Sequence, residues 1–132
     1  MRTLQQISAI PECGVVAVQE GSLTRIFFDF TDPEPREGED IPADIKACES
    51  IDVKGQSYGE IISAIINDRY NADDNQALQA NHELAKDPDS EISEEKRAEY
   101  LAEYAAYQSW RAHAKDIARI VLSIIEGAPV AE

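Results

Sequence analysis

Several groups of residues in this 132-residue chain have the types and spacing that chemistry would need. Gly55-Gln56-Ser57-Tyr58-Gly59 sets two glycines between a strand-like and a helix-like run. Backbone N–H groups point outward at such junctions, which is where phosphates bind. The Gly-Lys-Ser/Thr ending of a phosphate loop is missing, as is dinucleotide spacing, so the segment reads as a tight strand-to-helix turn. Asn71, Asp73 and Asn75 alternate like the first half of a calcium loop, as do Asp87, Asp89 and Glu91. Such loops need a glycine at the sixth position and a glutamate at the twelfth. Gln76 and His82 stand there in the first case, Ile92 and Ala98 in the second. Helix capping and a solvated turn account for both.

His82 and His113 are too far apart in sequence to be a ligand pair on one helix. They would meet only if two helices ran antiparallel, with Glu83 or Cys48 joining them. A metal-dependent enzyme built on Asp73, Asp74, His82 and His113 is therefore the last of the alternatives. Cys13 and Cys48 lack the basic neighbours that lower a thiol pKa, and no histidine sits in a known nucleophile motif. The expectation is a protein that is not an enzyme, with no catalytic residues, no metal and no cofactor. The most suggestive cluster is Tyr100, Tyr104, Tyr107, Trp110 and Arg111. Tyrosine and tryptophan bury large area and keep a polar tip, which suits an interaction surface. Packing against a neighbouring helix is the competing explanation. Arg111, Lys115 and Arg119 add a short basic stripe.

Composition narrows the partners. The 26 acidic residues against 12 basic give a formal charge of −14, which repels phosphate and so disfavours direct nucleic-acid binding and anionic membranes. A basic protein partner or divalent cations suit it better. Apolar content of 43% suffices for a core. The longest apolar run, Ile120 to Ile125 with Ser123 inside it, is too short to span a bilayer. Two cysteines and no apolar leader at the start point to a reducing, cytoplasmic setting.

The elements that must position these residues follow from periodicity. An α+β fold is expected: a small antiparallel sheet (a hairpin plus a third strand), then three helices, within one domain that is mainly β over residues 1–54 and helical over 55–132. Val15 to Val18 and Leu23 to Phe30 form the hairpin around Gly21, with Thr24, Ile26, Phe28 and Phe30 on one face. Before Gly14 the pattern is ambiguous; Leu4, Ile7 and Ile10 fit a short helix stopped by Pro11. Thr31 to Pro42, rich in proline and acid, reads as an exposed loop. Cys48 to Val53 is the third strand. Ser57 and Glu60 fit a capping box ahead of Ile61, Ile62, Ile65 and Ile66. Asn71 caps a second helix with Ala77, Leu78, Asn81, Leu84 and Ala85 inward. Ser93 caps a third that runs to about Glu126 and stops at Gly127 and Pro129. At about 1.5 Å per residue it is longer than a domain of this size can cover. Its aromatic half should pair with the second helix as a helical hairpin or meet another chain; its aliphatic half (Ile117, Val121, Ile124) should pack on the sheet.

Ile51-Asp52-Val53-Lys54-Gly55, Tyr58 through Tyr70, Ala72-Asp73-Asp74 and Gln76-Ala77 form one distinctive set. Glu94-Glu95-Lys96-Arg97, Glu99-Tyr100-Leu101 and Tyr104 through Lys115 form another. Over about residues 47–120 the chain resembles a group of small uncharacterised proteins of Bacteroides-type gut bacteria, of prophage or mobile-element origin. Trp110-Arg111-Ala112-His113-Ala114-Lys115 is the most specific part. The resemblance implies an accessory role, tail-associated or in assembly, and a location in the cytoplasm or on a virion. It transfers no catalytic residue. The expected function is a non-enzymatic interaction protein with a protein partner and self-association; an acidic decoy for a basic or nucleic-acid-binding host protein is the alternative.

Overall fold

The computed structural model describes every residue except 8, 36, 37, 39 and 128–132. The charges of Arg36, Glu37 and Glu39 and the helix stop at Pro129 therefore lie outside the described residues. Among the described residues four strands come first: β1 (Arg2–Gln6), β2 (Val15–Glu20), β3 (Leu23–Thr31) and β4 (Ile45–Lys54). Three helices follow: α1 (Tyr58–Arg69), α2 (Ala72–Lys86) and α3 (Glu94–Glu126). The sheet is antiparallel throughout, in the order β1-β4-β3-β2. The α+β class is as expected, with one strand more.

That strand is the N-terminal segment, for which the helical option fails. Leu4 is its only large apolar side chain and is 61% exposed, so neither period leaves a strong trace. Pairing decides: Arg2 to Gln6 run against Glu49 to Ile45, a contact some forty residues distant in sequence that no local pattern encodes. It also lengthens β4 to start at Ile45.

The hairpin turns on Gly21 at φ +62, where a glycine avoids the clash a side chain would meet. Alternation puts Thr24, Ile26 and Phe28 fully inside. Phe30 departs from the expected face. Phe28 pairs with Glu49 and Thr31 with Ala47, so three steps on β3 match two on β4. The bulge centres on Asp29, which takes φ +54, and puts Thr31 where an unbroken strand would put Phe30.

The helices cover the face that carries Val15, Ile26, Phe28, Ile51 and Val53. Ile61 and Ile65 of α1 are fully buried, and Trp110, Ala114, Ile117 and Val121 of α3 complete the core. Ser57 accepts the Glu60 N–H, as a cap should. The Glu60 carboxylate leans toward Gly55, whose φ of +116 only glycine adopts easily and whose Cβ, if present, would collide with that carboxylate.

Candidate interaction groove

Asn71 and Asp74 start α2 with a full capping box. The Asn71 side chain accepts the Asp74 N–H at 2.8 Å, and Asp74 Oδ2 accepts the Asn71 N–H at 3.1 Å. Ser93 caps α3 in one direction only, accepting the Lys96 N–H at 3.1 Å. Arg97 then ties the two helices: its Nη1 donates to the carbonyls of Ala85 at 2.6 Å and Asp87 at 3.1 Å. These are carbonyls at the end of α2 that helix geometry leaves without internal partners. The aromatic half of α3 thus pairs with α2 antiparallel.

The inner face of α2 is rotated from the expected one. Leu84 is 44% exposed, whereas His82 turns inward and stacks on Tyr104 with ring centres 3.7 Å apart and planes 13° from parallel. A stacked ring offers more contact than leucine could, and Leu84 yields the place. Tyr107 meets Tyr70 edge-on at 5.0 Å. Trp110 donates its indole N–H to the Ile65 carbonyl at 3.1 Å and packs against Phe28. Tyr107 and Trp110 are therefore interior, 4% and 6% exposed. Of the expected interaction surface, Tyr100, Tyr104 and Arg111 are half-buried.

Where α1, α2 and α3 meet, these contacts leave a groove of about 450 Å³. Leu78, Ala77 and Ala106 supply its apolar lining; Tyr70, Arg69, Asp74, Asn81 and Glu103 complete it. Its charges are unequal in freedom. Arg69 is already engaged: Nη2 donates to Glu49 at 3.0 Å, and the guanidinium lies 3.6 Å from the Trp110 ring centre. Asp74 and Glu103 have no ion-pair partner among the described residues. The groove is thus an apolar trough whose charge without a counter-ion among the described residues is acidic. Asp74, Ala77, Leu78 and Asn81 have the i, i+3, i+4, i+7 spacing of one helix face. Ala77, Leu78 and Asn81 belong to the face expected to turn inward; the rotation that brings His82 onto Tyr104 and leaves them lining the groove is a tertiary effect.

The histidines do not converge. His82 stays on Tyr104, nine residues and hence about 13 Å along α3 from His113. His113 Nε2 lies 2.8 Å from Asp29 Oδ1, and the ring edges onto Phe28. This pair fastens the bulge to α3. Among the described residues no three His, Cys, Asp or Glu side chains come together as metal ligands, and no helix is long and apolar enough to cross a membrane.

The thiols differ sharply. Cys48 is fully buried; burial pushes its thiol pKa up, opposed in part by the contact with Thr3. Cys13 is half-buried, and its Sγ donates to the Val15 carbonyl at 3.4 Å. A thiol reagent in native buffer should label one cysteine quickly and the second only on unfolding. Because the folded Cys48 pKa lies above the unfolded one, the folded state holds its proton longer. Stability should therefore be intact below about pH 8.5 and decline as pH rises through the folded value. Chemical denaturation across that range should show a flatter profile for Cys48→Ala.

Compared with protein-family models, curated proteins and solved structures, the chain matches none. The class of protein rests on fold and site alone: a two-layer α+β domain with an α2–α3 helical arm and an acidic groove at its base.

Proposed function

We propose that this is a non-enzymatic interaction protein that receives a basic, partly apolar segment of a protein partner in the groove between α2 and α3. One observation carries the reading: an apolar trough of about 450 Å³ whose arginine is paired elsewhere, while Glu103 and the Asp74 that caps α2 have no cation partner among the described residues. A lysine or arginine stem would lie on Leu78, Ala77 and Ala106 and bring its cation to those carboxylates. The formal charge of −14 would steer such a partner in. The accessory role implied by the family resemblance, in the cytoplasm or on a virion, fits a binding module of this kind, and so does the decoy alternative, since both call for a basic partner. Self-association through the aromatic half of α3 is the weaker reading, because Tyr107 and Trp110 are spent on the interior.

The test uses a lysine- and leucine-bearing helical peptide, with a glutamate-for-lysine peptide as control, followed by fluorescence anisotropy. Binding of the lysine peptide only, weakened by salt, is expected. Glu103→Lys, an exposed change, should cut affinity by ~10-fold or more by turning an attraction into a repulsion in the groove. Equal binding of both peptides, or indifference to Glu103→Lys, would remove the reading.

A further inference from the structure

The helices cover one face of the sheet and leave half of the other open. On β3 and β4, Thr24, Ile26, Phe28, Ile51 and Val53 are buried, and the residues between them point the opposite way. Cross-strand register sets three outward pairs there: Phe27–Ser50, Arg25–Asp52 and Leu23–Lys54. Val16, Val18 and Glu20 of β2 extend the same three rows. None of these side chains is buried. Cys48, the next outward residue of β4, is fully buried, so the open part is the hairpin half. The solvated face of an antiparallel sheet ordinarily reads polar. Here Val16, Val18, Leu23 and Phe27 stand on it, with Val18 41% exposed. The charges on it cancel, Arg25 and Lys54 against Glu20 and Asp52, on a chain whose formal charge is −14.

We propose that two copies of this chain meet through this face, sheet on sheet, about a two-fold axis that runs parallel to the strands midway between β3 and β4. Such an axis lays β3 of one copy over β4 of the other and keeps each row in place. Arg25 then faces Asp52 of the other copy. Within each chain Arg25 Nε already donates to Asp52 Oδ1 at 2.9 Å, so the two pairs form a square of alternating charge. Phe27 comes over Ser50, a large side chain on a small one. Leu23 comes over the stem of Lys54, whose ammonium reaches water. Symmetry makes each match twice.

Charge selects the occupant. A basic partner gains nothing on a face whose charges cancel, and neither does an acidic one. For a second copy the cancellation is what permits contact, because a surface sharing the chain's overall charge would set acid against acid. Rows lie ~6.8 Å apart and strands ~4.8 Å apart, so three rows on three strands span roughly 300 Å² in projection. Stable interfaces bury about 1,200–2,000 Å² in total, so this dimer should be weak and concentration-dependent.

Sedimentation equilibrium of the full chain at about 0.15 M salt, where long-range repulsion is largely screened, reads the association. The average mass should rise toward that of two chains between about 10 µM and 1 mM protein. Arg25→Asp makes all four charges of the square negative, and Asp52→Arg makes all four positive. Either change should weaken the dimer by ~10-fold or more. The two side chains are 40% and 50% exposed, so losing their pairing within the chain should leave the fold intact. Mixing the two variants is decisive. Two carboxylates on one copy then face two guanidinium groups on the other, and a heterodimer should form at least as tightly as the parent dimer. Damage to the fold could not be repaired in this way. Should either variant fail to fold, Ser50→Arg, which fills the place of the facing Phe27, should weaken the dimer to a similar extent. A strict monomer at about 1 mM would overturn the proposal. So would a dimer indifferent to Arg25→Asp or Ser50→Arg, or folded variants that stay monomeric when mixed. Glu103 lies on α3 and lines the groove. Glu103→Lys should therefore leave the dimer intact, and failure here is separable from failure of the groove.

Discussion

Replacing Trp110 with alanine is expected to cost about 3–5 kcal/mol, the range for emptying a buried aromatic site. Three contacts go at once. The ring packs on Phe28 with centres 6.1 Å apart, donates to the Ile65 carbonyl, and carries the Arg69 guanidinium on its face. The site cannot collapse readily, because Ala114 and Ala118 on the same helix are too small to reach into the void and the α1 isoleucines are already fully packed. A domain of this size is stable by only about 5–15 kcal/mol, so the variant should lose a large part of its cooperative transition in urea. Trp110→Phe keeps a ring and gives up the indole donor; about 1–2 kcal/mol is expected for it. Matching losses for the two variants would show that the ring itself contributes little.

Arg69→Ala is the second large effect, at about 2 kcal/mol. Glu49 is 7% exposed and relies on Arg69, with the Met1 α-amino group 3.5 Å from its other oxygen. Stripping a partner from a buried carboxylate can cost about 3–5 kcal/mol, but Arg69 is itself 45% exposed and its attraction is screened, so the lower figure applies. The mechanism has a distinctive signature. If the cost is the stranded charge, Glu49→Leu in the Arg69→Ala background should return part of it, since the buried site then needs no cation. If the cost is instead the stack on Trp110, Arg69→Lys should be nearly as harmful as Arg69→Ala, because a lysine has no planar face to lay on the indole. A double-mutant cycle by urea denaturation separates the two.

These two residues also show how legibility divided. The helices were readable because each is written locally. Ser57, Asn71 and Ser93 are N-caps, the isoleucines of α1 fall on one stripe, and Gly127 ends α3 at φ +70. The hairpin was readable for the same reason, a glycine at the turn and alternating β-formers on either side. Trp110 was visible as a large aromatic, but nothing local distinguishes a tryptophan facing Ile65 from one facing solvent. The groove was harder still. Asp74 lies in the first turn of α2 and Glu103 on α3, and nothing local to either places it beside Leu78 and Ala106.

What the sequence determined by itself is therefore the α+β class, the existence and ends of the helices, the hairpin, and an excess of negative charge. Tertiary structure decided four further matters. It made Arg2–Gln6 a strand through pairing with β4. It bulged β3 at Asp29. It rotated α2 so that His82 faces Tyr104, and it drew Arg69 toward Glu49 and Trp110, leaving the groove acids without a cation partner among the described residues. The physical reason is common to all four. Caps, turns and amphipathic stripes are interactions within a few residues, so composition and spacing encode them directly. Pairing partners, helix rotation and the commitment of a charge depend on groups twenty to eighty residues away, whose positions exist only once the core has packed.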